Sequence, residues 1–156
     1  MKASSLSELK NELGELSPAK VLALCMRLAK FKKENKELLT YLLFHAHDEE
    51  AYIESVKNEI DEKFKEINMS NVYYIKKSLR KILRSTNKYI KYSCLAQTET
   101  ELLIYFCKKI KKEKIPLGKS VALDNIYLNQ IKRINKAMAS LHEDLQYDYK
   151  IEMETL

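Results

Sequence analysis

Apolar residues recur at helical spacing along most of this chain, and the pattern is sharpest between positions 71 and 92. At about 100° per residue, Ile75, Leu79, Ile82, Thr86 and Ile90 fall within roughly 80° of one another. Lys77, Lys81, Arg84, Lys88 and Lys91 fall in an equally narrow stripe on the opposite side. Tyr73 shares that side, and Tyr74 and Tyr92 lie on its edge. The pattern predicts an amphipathic helix about 33 Å long, with one face for a core and the other for water or something anionic.

Six more helices follow from the same periodicity. Ser5 with Glu8 forms a capping box that opens a short helix carrying Leu6, Leu9, Leu13 and Leu16. Ser17-Pro18 starts the second helix with an N-cap and a proline at the first helical position. Asn35 is expected to cap a third, in which Leu38, Leu39, Tyr41, Leu42, Leu43 and Phe44 cover most of the circumference. An apolar surface that wide predicts the most buried element of the chain. Asp48 caps the fourth helix, whose stripe is Tyr52, Ile53, Val56, Ile60, Phe64 and Ile67. After the basic helix, Thr98 and Glu101 suggest a second capping box for a sixth. Its Leu102, Leu103, Phe106 and Ile110 face inward, and it ends in the lysine run 108–114. Pro116 and Gly118 mark a loop. The seventh helix is expected from Ser120 or Asp124 to beyond Leu145, followed by an acidic, frayed tail over 147–156.

Composition agrees with helices alone. Two glycines and two prolines in 156 residues leave little turn chemistry for a β fold. The expected fold is one all-α domain spanning 1–156, with about seven helices in antiparallel hairpins. Stacking of those hairpins into a superhelix, as in HEAT or TPR arrays, is favoured over a compact bundle.

Charge changes the picture more than composition does. Residues 1–66 carry 11 basic and 13 acidic side chains, residues 67–119 carry 13 and 3, and residues 120–156 carry 4 and 6. A block of net +10 thus sits between two ends of −2 each, and no acid occurs between Glu66 and Glu99. Such asymmetry points to an acidic macromolecular partner.

Catalytic candidates are few. The string His45-Ala46-His47-Asp48 resembles the metal-binding histidine–aspartate pair of helical phosphohydrolases. That resemblance implies a small metal-dependent hydrolase, but it also requires a histidine on an earlier helix, and His142 is the only other one. A helix end followed by a capping aspartate accounts for the same residues. No Gly-rich phosphate loop is present, and Cys25, Cys94 and Cys107 form no metal knuckle. No cofactor is expected.

The acids Glu8, Glu12 and Glu15 do not suit a signal or transit peptide. The apolar segment 38–47 is about half a membrane span, so a cytoplasmic setting is expected. The sequence therefore predicts a non-enzymatic binding module using Tyr73, Lys77, Lys81, Arg84, Lys88 and Lys91, with nucleic-acid backbone or an acidic protein surface as its partner. The alternative is a protein–protein adaptor or oligomerisation module using an apolar helix face, along the seventh helix.

Overall fold

The computed structural model describes residues 2–156, and among them the chain is all-helical. It divides into two compact units, Met1–Phe44 and His45–Leu156.

The first unit contains α1 (Leu6–Gly14), α2 (Pro18–Phe31) and α3 (Lys33–Phe44). The Ser5–Glu8 capping box forms in both directions. Ser17 and Pro18 open α2 as expected, although the Ser17 hydroxyl makes no cap bond. Asn35 does not cap α3. Lys32 alone interrupts the two helices, in an extended conformation, and Asn35 lies inside α3 with its amide donating to the Leu28 carbonyl at 2.8 Å.

Helices α2 and α3 pack as a hairpin. The expectation that the third helix is the most buried element is overturned: among the described residues of this unit only Tyr41 is buried. Leu42, Leu43 and Phe44 remain 55–64% exposed. A helix that is apolar all round needs neighbours on every side, and two short companions cannot supply them.

The second unit contains α4 (Glu49–Lys65), α5 (Val72–Ser93), α6 (Ala96–Lys112), α7 (Val121–Met138) and α8 (Glu143–Met153). Each helix adjoins its successor, and α4, α5 and α6 each also adjoin the helix after that. The core centres on α6, where Leu102, Leu103, Ile104, Phe106, Cys107 and Ile110 are fully buried. Each large apolar side chain removed from water there contributes about 1.5–3 kcal/mol. The predicted stripes of α4 and α5 are buried without exception.

Two boundaries differ from expectation. Leu95, not Thr98, precedes α6, and Thr98 lies buried inside the helix. Its hydroxyl and that of Ser93 both donate to Glu49 Oε1 at 2.5 Å, so Thr98 ties α6 to α4 instead of capping its own helix.

The seventh helix stops at Met138, and the segment expected to fray is helical through Met153. His142 caps α8 by accepting from the Asp144 amide. Buried Tyr149, the Lys108–Glu152 ion pair at 2.6 Å and the bond from Tyr127 Oη to the Leu156 carbonyl at 3.1 Å dock this segment. Polar side chains make those contacts, so hydrophobic periodicity carries little trace of them.

On α7, Leu123, Ile126, Tyr127, Ile134, Ala137 and Met138 are buried, chiefly against α6, while Val121 and Leu128 stay exposed.

Candidate polyanion-binding face

Helix α5 is held rigidly before it presents anything. Asn71 Oδ1 accepts from the Tyr73 amide at 2.8 Å to cap its start, and Ile75, Leu79, Ile82, Thr86 and Ile90 anchor one side in the core. Thr86 is fully buried, with its hydroxyl satisfied by the Ile82 carbonyl at 3.0 Å. Cys94 closes the helix in the left-handed conformation, φ 58°.

The opposite side carries the predicted cations. Lys77, Lys81, Arg84 and Lys91 are exposed, and among the described residues none of them forms an ion pair. The four span positions 77–91, fourteen helical steps or about 21 Å. Arg80, exposed and likewise outside every ion pair, borders the stripe at about 60° from Lys77. The narrow stripe drawn from the sequence left it out.

Lys88 is placed differently from its stripe neighbours. It is half-buried, with its ammonium 4.7 Å from the centre of the Tyr89 ring and 5.9 Å from that of Tyr92. Tyr73 is 60% exposed and meets Tyr74 edge-on at 5.5 Å, so two accessible rings stand at the start of the helix. Tyr92 is half-buried against Tyr89 and belongs to the packing.

Several acids on and beside α4 and α6 are paired with other cations. Lys57 bridges Glu54 and Glu101 at 2.7 Å each, Lys109 meets Asp61 at 3.3 Å and Glu113 at 3.1 Å, and Arg133 binds Glu99. Burial opposes the charge on Lys109, yet its bonds to Glu113 and Asp61 outweigh that, and the ammonium titrates above an ordinary lysine. Burial likewise works to raise the Asp61 pKa, but hydrogen bonds from Tyr105 and Lys109 prevail and hold the carboxyl below its usual range. Lysine charge in α6 is thus partly absorbed by structure, whereas Lys77, Lys81 and Lys91 of α5 enter none of these pairs.

No family model, curated protein or solved structure matches this chain.

A polar pocket of about 110 Å³ lies between α4 and α5 beside Lys81, lined also by Lys63, Glu66 and Ser78. It is poorly suited to an anion. Lys63 is paired with Glu59 and donates to Ser85, and the Glu66 carboxylate lines the same space. The open stripe is the better surface.

Within the histidine–aspartate string, Asp48 caps a helix. Asp48 accepts from the Ala51 amide at 3.0 Å as the cap of α4, and His45 stands 6.1 Å from the Tyr52 ring. Among the described residues, no group of three His, Cys, Asp or Glu side chains is arranged to hold a metal ion. Nor, among them, is any helix long and apolar enough to cross a membrane.

Proposed function

We propose that this chain is a non-enzymatic cytoplasmic module that binds the phosphate backbone of nucleic acid along α5. The observation that carries the reading is the row of exposed cations Lys77, Lys81, Arg84 and Lys91, all outside the ion-pair network that absorbs cations on α4, α6 and α7. Each phosphate neutralised by such a side chain releases condensed counterions, which drives association without reading sequence. Lysine outnumbers arginine three to one in that row, which suits point-charge contact with phosphates better than bidentate reading of bases. The exposed ring of Tyr73 supports a single-stranded ligand, because an unpaired base can stack on it.

The test is a titration of fluorescent single- and double-stranded nucleic acid at several salt concentrations. Log affinity is expected to fall with log salt by about 0.7 per phosphate contacted on single strands and about 0.9 on duplex. Lys81→Glu with Arg84→Glu is expected to flatten that slope by about two contacts' worth. Absence of binding at low salt, or binding indifferent to the double reversal, would overturn the reading. An acidic protein captured through the same residues, with no nucleic-acid affinity, would redirect it.

A further inference from the structure

The first unit leaves a second surface unused. Between α2 and α3 runs an apolar groove of about 320 Å³, lined by Cys25, Leu28, Ala29, Leu38, Leu39 and Leu42. Beside it in sequence, α1 carries a leucine stripe left partly open: Leu6 is 85% exposed, Leu9 47% and Leu13 43%. Leu22, Leu28, Phe31, Leu43 and Phe44 are each more than half exposed as well.

Charge selects the occupant. The hairpin over residues 18–44 carries Lys20, Arg27, Lys30, Lys32, Lys33 and Lys36 against Glu34 and Glu37, a net of +4. Two such hairpins meeting face to face would bring like charge together. Helix α1 has the opposite character, with Glu8, Glu12 and Glu15 bordering its leucines and only Lys10 against them over residues 5–16. An acidic helix with apolar residues at i, i+3 and i+7 suits an apolar groove in a hairpin of net positive charge.

We propose that the chain self-associates by exchange of α1, the leucine stripe of one copy seating in the α2–α3 groove of a second copy. Because each copy offers both stripe and groove, the exchange is reciprocal, two-fold and closed. Salt weakens it by screening the acidic helix from the positively charged hairpin.

Sedimentation equilibrium of the full chain across a wide concentration range tests the association. The expected mass is twice 18.3 kDa, and Leu9→Glu with Leu13→Glu is expected to weaken the dimer at least about tenfold. Both positions are partly exposed, so an unchanged far-ultraviolet circular dichroism spectrum separates lost association from lost fold. A second measurement identifies the mode. In a Cys94→Ser, Leu9→Cys background, oxidation is expected to join position 9 of one chain to Cys25 of another, mapped by peptide mass spectrometry. A strictly monomeric chain, a dimer indifferent to the α1 reversals, or a 9–25 bridge within a single chain would each overturn the proposal. A dimer without any 9–25 bridge would overturn the exchange.

Discussion

Arg133 donates from Nη2 to Glu99 Oε1 over 2.6 Å, and its Nε reaches the same oxygen at 3.2 Å. Its Nη1 binds Asn87 Oδ1 at 2.7 Å, so one guanidinium joins α7 to both α6 and α5. Charge-assisted bonds of this kind contribute about 1.5–3 kcal/mol when protected from water. Here the arginine side chain is 37% exposed and the glutamate 29%, so the lower end applies. Arg133→Ala is expected to cost about 1–2 kcal/mol in urea unfolding, and a cycle with Glu99→Gln should show coupling between them. Strictly additive losses would show that the two residues act independently.

Asp61 sets a pH dependence. Its folded pKa lies below the ordinary 3.8, and that of Glu59 lies below the ordinary 4.5. For Glu59 too, burial pushes upward but hydrogen bonds from Lys63 and Tyr89 prevail. In that range the unfolded chain binds more protons than the folded one, so stability rises with pH. The contribution is complete above the ordinary values and is lost as pH falls through the folded ones. Urea midpoints of the wild type should therefore drop on acidification below about pH 4.5, and Asp61→Asn with Glu59→Gln should flatten the drop. Equal slopes would show that these carboxylates do not carry it.

Tyr105 titrates in the opposite sense. Burial, reinforced by its 2.7 Å bond to Asp61, pushes the phenol up to about 12. Its contribution is present below the ordinary value of 10.0 and is lost as pH rises through the folded one. Burial raises Tyr127 and Tyr149 as well, so tyrosinate absorbance should show fewer rings ionising near pH 12 in the folded wild type than after complete unfolding, and Tyr105→Phe should shrink that difference. A difference of unchanged size would assign the late phenols to other tyrosines.

The three cysteines should separate cleanly. Cys25 and Cys94 are exposed, whereas Cys107 is fully buried and burial pushes its thiol up to about 12. The thiolate is the reactive form, so Cys107 is protected both by access and by protonation. At concentrations low enough to keep the chain monomeric, a disulfide reagent at neutral pH should modify two thiols in the folded protein and the third only on unfolding. Rapid modification of all three would contradict the packing of α6.

How much of this was legible in advance depended on the kind of interaction. The buried stripe of α5 and that of α4 follow from period alone, because each helix has one apolar side and a neighbour to receive it. The same logic failed for α3, since periodicity measures how much a helix offers for burial and not what is available to cover it. Thr98 and Asn35 have side chains that suit caps, but both are used over longer range, by Glu49 and by the Leu28 carbonyl. The docking of α8 rests on Tyr149, Glu152 and a backbone carbonyl, which carry no periodic signal. For the candidate face, position on the helix was readable, while the distinction between free Lys77 and ring-bound Lys88 required knowing where Tyr89 and Tyr92 point.

The contrast between α5 and α3 yields the sharpest stability prediction. Leu79 is fully buried and Leu42 is 55% exposed, although both sit on helices read from sequence as core elements. Leu79→Ala removes buried methyl groups and leaves a cavity among well-packed neighbours, a change that costs about 2–5 kcal/mol. Leu42→Ala removes atoms already in water, so its cost in the monomer should stay within about 0.5 kcal/mol. Unfolding midpoints measured at low concentration isolate the monomer term, because any contribution from association depends on concentration. At high concentration the gap should narrow if Leu42 lines an occupied groove, since its loss then also removes interface. A large Leu42→Ala penalty at low concentration would mean that the hairpin groove is already filled within the single chain.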